Sequence, residues 1–514
     1  MLLLKFLLAM LPIIWLIAAL SGLKMAGHKA CVLALLLTMV LAAGYWKLSV
    51  ACTVTAALEG VLNALWPICL VIIAALFTYN LTLKTGAMER IKKMLAGVSS
   101  DQRVLALMIG WGFGNFMEGM AGFGTAVAIP ASMLVGIGLD PMCAVLGCLV
   151  VNSTPTAFGS VGVPTVTLAS VTGTDMLQLS ADVVLIQCIL TFISPFLMVC
   201  ICGKGIRALK GMMGITLTAA LSFTVPWFLT AKLTGPELPD IIGSICCMGC
   251  TIAAVKIFRP KPDDAYAIAI SRQGERKSGI TASEGIQAWS SFIFIFLLLM
   301  LTSNLCPPVH NAIAGIKSSV VVYAGEGGNA LSFGWINTPG VMIFLAAVLG
   351  GFIQRATAGE MAQVFVQTLK KYWKTILTIC SVMAVAKIMS YSGMISDIAK
   401  FLVAAAGPLY PLIAPLIGAI GAFVTGSGTS TCVLFGGLQS ETATALGFHA
   451  EWMAAANVMG AGIGKMVCPQ GIAIGAGAIN AVGSESKILS AVLKYFLLYV
   501  VLAGVICYAG TLIR

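Results

Sequence analysis

GNFMEGMAGFG, residues 114–124, sets one carboxylate, Glu118, among Gly114, Gly119, Gly122 and Gly124 in the middle of an apolar run from Val104 to Leu139. About 20 apolar residues cross a bilayer, so this run is too long for one span, and its centre is too polar to face hydrocarbon. Backbone released from helical pairing is tolerated at such depth only where it is buried in protein or lines a wet cavity. The stretch therefore predicts a discontinuous helix or a re-entrant hairpin. Three more runs have the same character: 142–173 is interrupted by NSTPTAFGSVGVP, 409–446 by GAFVTGSGTST, and 452–482 by GAGIGKMVCPQG.

The rest of the chain supports a membrane setting. Of 514 residues, 59% are hydrophobic and only 10% are charged, with a mean hydropathy of +1.00. A soluble domain carries about 25% charged residues, so a soluble globular protein is excluded. Plain spans are expected near Phe6–Gly22, Ala30–Trp46, Trp66–Leu83, Val183–Cys202, Met213–Ala231, Ile241–Phe258, Trp289–Ser303, Val341–Ile353 and Ile488–Tyr508. With the interrupted runs these give an all-α polytopic membrane protein of about 12 to 14 transmembrane segments. The net charge of +11 comes from Lys and Arg in short connectors, as the positive-inside rule expects of cytoplasmic loops, and not from a nucleic-acid surface. The 16 cysteines are scattered without metal-like pairing and read as core-filling thiols. The apolar N-terminus lacks a cleavage site and reads as a first span.

A repeat divides the chain. An offset of 307 positions pairs Trp66 with Trp373, Gly86 with Gly393, Gly114 with Gly421, Phe116 with Phe423 and Gly119 with Gly426. The expected halves are 1–258, with the breaks in 104–139 and 142–173, and 289–514, with the breaks in 409–446 and 452–482. A cytoplasmic linker, 259–288, joins them. An odd number of crossings between the repeats, which the span count favours, makes them inverted. Paired interrupted segments in two halves point to the binding site of a secondary transporter.

Glu118 reads as a proton-exchanging group, or else as a hinge carboxylate capping nearby N–H groups. Lys465 reads as the anchor for an anionic substrate, or as a lysine snorkelling to the interface. Lys387, in SVMAVAKIMSYSGM, neutralises a carboxylate, contacts substrate or forms a structural ion pair. Polar side chains gather at the breaks as candidate substrate contacts: Asn115; Asn152, Ser153 and Thr154; Thr425, Ser427, Thr429 and Ser430; and Gln470. Pro155, Gly426, Gly428 and Pro469 join the four glycines around Glu118 as break-forming residues. Half-helix N-termini beside such groups favour a small carboxylate. There is no phosphate-binding GxxxxGK[ST] motif, and His28, His310 and His449 stand apart from one another. Neither an enzyme's nucleophile and base nor a metal cluster is indicated, and a channel or an integral-membrane enzyme is the distant alternative.

GNFMEGMAGFGTAVAIPASMLVGIG, VVNSTPTAFGSVGVP, GPELPDII, YSGM, TGSGTST with LFGGLQ, and GKMVCPQGIAI resemble the signature stretches of the L-lactate permease family, which includes glycolate permeases. The resemblance implies a multi-pass protein of the bacterial inner membrane that takes up lactate- or glycolate-type 2-hydroxymonocarboxylates with protons and without a cofactor. By position, Glu118 falls on the acid of the family's E-G-x-A-G-F-G motif, Asn152 and Pro155 on its N-T-A-P motif, and Lys465, Pro469 and Gln470 on its G-K-M-x-x-P-Q motif. A more distant likeness to a wider transporter superfamily implies an elevator-type homodimer. The chain departs from the pattern where Gly428 and Cys432 replace an acid and an amide, and where Lys387 replaces an apolar residue. These changes keep sodium coupling or a different carboxylate open.

Overall fold

In the computed structural model the described residues are 2–19, 23, 25–122, 124–258, 266–267, 280–302, 306–328, 330–479, 481 and 484–513. The expected linker 259–288 lies largely outside them, save Tyr266, Ala267 and residues from 280 onward, where the helix Ala282–Thr302 already begins at its third residue. Nearly all else is helical, as the composition requires. Among the described residues nine helices are long and apolar enough to cross a membrane, or ten if the pair Pro141–Val151 and Pro155–Thr172, bent by 61°, is one span. Shorter apolar helices, among them Thr125–Gly136 and Pro339–Ile353, add to these. Their length is what separates this count from the expected 12 to 14 segments.

The outer helices show why the fold belongs in lipid. On Glu485–Ile513, Leu493, Leu497, Val501 and Val505 form an exposed apolar stripe at i, i+4 spacing that water would not solvate favourably and acyl chains would. The chain is a multi-pass membrane protein.

Two stretches paired at the offset of 307 have like form. Val50–Lys84 and Ala358–Ser392 are both 35 residues long, and each is followed by a left-handed glycine, Gly86 at φ +72 and Gly393 at φ +82, before a short amphipathic helix. Trp66 breaks the first of these helices with extended backbone (φ −132, ψ 117). The second is helical from Ala358 because Thr357 and Glu360 form a reciprocal capping box.

Each half then folds one hairpin and one broken helix. In the first half, Ala106–Phe113 and Gly114–Met120 run to a turn from which Thr125–Gly136 returns. Pro141–Val151 follows, interrupted at Asn152–Thr154, and the chain resumes through Pro155–Phe158 and Gly159–Thr172. In the second half the hairpin is Tyr410–Thr425 with Gly428–Leu446, and the broken helix is Ala450–Lys465 with Pro469–Ala478. Tyr410–Thr425 and Ala450–Lys465 pack nearly backbone to backbone. A Cβ at Gly460 would lie 1.9 Å from the Pro415 carbonyl oxygen, and one at Gly464 would lie 2.2 Å from that of Ala419. Small residues permit this approach, and it brings the ends of both helices, with Thr425 and Lys465, to one cavity.

The stretch between Cys306 and Thr338 departs from the all-helical pattern. A short helix, Pro307–Ala314, leads into the antiparallel strands Lys317–Val321 and Ala330–Gly334. This ribbon is held on the long helices by Trp66 Nε1 donating to the Gly334 carbonyl at 3.1 Å and by Tyr323 stacked on Tyr391 at 3.7 Å.

Candidate functional site

The four breaks converge on one cavity of about 440 Å³. Glu118, on the last turn before the first hairpin's tip, is 2% exposed. Its Oε1 accepts from Lys465 Nζ at 2.8 Å and its Oε2 accepts from Asn152 Nδ2 at 3.0 Å. Three breaks thus meet on one carboxyl group. Gly159 makes room for it, since a Cβ there would stand 2.6 Å from Glu118 Oε1. The backbone beside it is strained: Ser160, Val161 and Gly162 are all left-handed, with the β-branched Val161 at φ +58. Ser160 Oγ donates to the Ala121 carbonyl at 2.9 Å and ties this bend to the hairpin tip.

The second hairpin supplies the opposite wall. Thr425, Ser427, Thr429 and Ser430 line the cavity with Gly426 and Gly428. Ser427 caps the helix Gly428–Leu446, its Oγ accepting from Ser430 N at 3.2 Å, and Thr425 Oγ1 accepts from Ser427 N at 3.2 Å. Pro469 and Gln470 begin the helix Pro469–Ala478 at the cavity edge, and Gly124 precedes Thr125–Gly136. Three helix N-termini therefore abut the cavity, which favours negative charge.

The cavity omits several residues expected there. Asn115 is buried on the same short helix as Glu118 but outside the lining, and neither amide atom has a hydrogen-bond partner. Ser153 Oγ and Thr154 Oγ1 turn back to the carbonyls of Val150 and Val151. Gly114 packs on Ala126 and Gly119 on Asp240, while Pro155 opens a helical turn behind the lining. Gly122 does line the cavity.

Lys387 is placed elsewhere. Its Nζ lies 2.8 Å from Glu59 Oε1, with Glu59 2% exposed, and Tyr391 Oη donates to both Glu59 oxygens. Of the roles open to it, this is the structural ion pair. A carboxylate so deeply buried needs a counter-charge.

Sequence reasoning missed the contribution of the long helices. His28 on Gly27–Gly44, and Lys374 and Thr378 on Ala358–Ser392, also line the cavity. Among the described lining residues the ionisable groups include one carboxylate, Glu118, against Lys465 and Lys374, with His28 nearby. Counting the formal charges of Glu118, Lys465 and Lys374 leaves an excess of one positive charge, matched to a monoanion. Nothing in the local pattern marked His28 or Lys374, because both belong to helices remote in sequence from the breaks.

The family model described as L-lactate permease matches residues 5–513. An L-lactate permease of Streptococcus iniae is 43% identical over 87% of this chain and 93% of its own length. The glycolate permease GlcA of Escherichia coli K12 is 32% identical over 97% of this chain and 94% of its own length. Among solved structures, the Alcanivorax borkumensis YdaH transporter matches at 14% identity with a TM-score of 0.48, covering 86% of this chain and 85% of that one. On the match to the family model over nearly its whole length and the identity to these relatives, the chain belongs to the L-lactate permease family, whose members are transporters and not enzymes.

Proposed function

We propose that this protein carries a small 2-hydroxymonocarboxylate of the lactate or glycolate class across the bacterial inner membrane in symport with protons. The observation that carries the reading is the Glu118–Lys465 ion pair, 2.8 Å long, in a cavity ringed by helix N-termini. With Glu118 ionised, Lys465 is occupied. Protonating Glu118 removes its charge and frees Lys465 Nζ to take the substrate carboxylate, while the break hydroxyls Thr429 and Ser430 receive the 2-hydroxyl. Substrate and Glu118 then compete for one ammonium group, so that anion binding requires a proton on Glu118. Such competition couples the two fluxes with no cofactor. The excess positive charge of the lining supports a monoanion, and the relatives named for lactate and for glycolate support the substrate class.

The test uses purified protein in liposomes, with uptake of radiolabelled lactate and glycolate followed under an imposed proton gradient or an imposed sodium gradient. Accumulation driven by protons alone is expected. Accumulation driven by sodium alone, or no transport of either acid, would overturn the reading.

A further inference from the structure

GPELPDII, residues 235–242, has no part in the cavity that holds Glu118, yet it packs directly behind it. Asp240, at the start of the helix Pro239–Phe258, is 1% exposed. A Cβ at Gly119, the residue after Glu118, would lie 2.7 Å from Asp240 Cβ. Asp240 Oδ1 accepts from Trp227 Nε1 at 2.9 Å, whereas Oδ2 is buried with no hydrogen-bond partner. A buried carboxylate oxygen without a donor or counter-ion is costly as an anion and much less so as O–H.

A polar seam continues from this oxygen. The helices run antiparallel, with Gly119 opposite Asp240 and Gly112 opposite Met248, so Asn115 and Ser244 stand at the same level between those contacts. The Asn115 amide, Ser244 Oγ and Trp111 Nε1 are all buried without partners. A second cavity, of about 320 Å³, is lined by Glu237 and Leu238 of the same loop and by Thr234 at the end of the preceding helix, together with His310 and Asn337. Asp240 thus packs against the residue next to Glu118, while its own loop lines the second cavity.

We propose that Asp240 is a proton-relay residue, which takes a proton from the side of the second cavity and passes it to Glu118. The step is a proton transfer only. Asp240 Oδ2–H gives its proton to the Glu118 carboxylate, which becomes the neutral acid, Asp240 becomes the anion held by the Trp227 N–H, and it is re-protonated from the second cavity. Protons and substrate then reach the ion pair from different cavities. Glu237, on the loop three residues before Asp240, supports this, because burial pushes its carboxyl up to about 7 and lets it exchange protons near neutrality. The elements packed on the Pro239–Phe258 helix add few other charges. Gly114–Met120 brings Glu118, with Lys465 beyond it; Met213–Thr234 brings Trp227 and the exposed Lys232; Ala106–Phe113 and Pro155–Phe158 bring none.

The inference rests on the proton-symport reading, and one experiment separates the two. Wild type, Asp240→Asn and Trp227→Phe are reconstituted in liposomes containing a pH-sensitive dye. Lactate accumulation under a proton gradient, lactate-induced proton entry and lactate exchange at equal pH are measured for each. If the wild type moves no protons with lactate, the symport reading fails and the relay fails with it. If the wild type does, Asp240→Asn is expected to lose accumulation and proton entry at least about tenfold while exchange falls less than about threefold. Full proton entry in Asp240→Asn, or equal loss of exchange and coupling in folded protein, would overturn the relay alone. Should Asp240→Asn not be recovered folded, Trp227→Phe decides. Removing the donor to Oδ1 favours the protonated acid, so its coupled uptake should persist to higher pH, by about one unit, and an unmoved pH profile would overturn the relay.

Discussion

Lys465 Nζ and Glu118 Oε1 lie 2.8 Å apart although 347 positions separate them in the chain, and the contact joins a broken helix of one half to the hairpin tip of the other. Any movement that parts the two halves of the site must break or transfer this bond. That makes the pair the natural place for substrate and proton to meet.

Glu118→Gln keeps the shape and removes the charge. Lys465 is then free at every pH, so proton-driven accumulation of lactate should fall at least about tenfold, while exchange between labelled and unlabelled lactate persists and loses its pH dependence. Uptake and exchange assays on the same proteoliposomes check this.

Lys465→Gln should weaken apparent lactate affinity by about 1–3 kcal/mol, the worth of a charge-assisted hydrogen bond, which is about five- to 150-fold. Lys465→Arg should restore part of it. Competition of unlabelled lactate against labelled uptake measures both.

Gly159→Ala would place a Cβ 2.6 Å from Glu118 Oε1 and 3.2 Å from its Cδ. The carboxyl can swing aside, so thermal stability should change by less than about 1.5 kcal/mol, within the ordinary range for point substitutions. The bond to Lys465 should nevertheless be lost, and with it proton-driven uptake. A folded, inactive protein is the expected outcome.

Lys387→Ala strands Glu59, which is 2% exposed. Breaking a buried pair from one side costs about 3–5 kcal/mol, and the partial exposure of Lys387 places this case toward the lower end. The double variant Lys387→Met with Glu59→Gln should recover most of that loss. Lactate affinity should stay the same in whatever folded single variant is recovered, since neither residue lines the cavity. Melting temperatures and uptake measure the two effects separately.

Glu237 carries a pH signature of stability. Its carboxyl is raised from 4.5 to about 7 in the folded protein by burial, so between those values the folded state holds a proton that the unfolded state has released. Stability should therefore fall as pH rises from about 4.5 to 7, by about 1–3 kcal/mol once its partial exposure is allowed for. Glu237→Gln should flatten that slope, as read from melting temperatures in detergent across this range.

The fold and the positions of its breaks were legible in the linear pattern. Apolar runs longer than one bilayer crossing, each with a glycine-rich polar centre, have few physical solutions, and the offset pairing Gly114 with Gly421 places those centres in both halves. Glu118 and Lys465 stood out because a charge in such a centre is costly unless it is paired or wet. The sequence could not say that these two charges pair with each other, nor that Lys387 is spent on Glu59. Nor could it show that Asn115, a helical neighbour of Glu118, is buried outside the cavity among groups that lack partners. The order of residues fixes the face a side chain takes on its own helix. Which helix meets that face depends on how close the backbones come, as at Gly460 and Gly464, and that is settled only when the whole bundle packs. His28 and Lys374 belong to segments with no local mark of function, and only tertiary packing brings them to the cavity; Asp240 stands in the signature stretch GPELPDII, but only packing sets it against the residue next to Glu118.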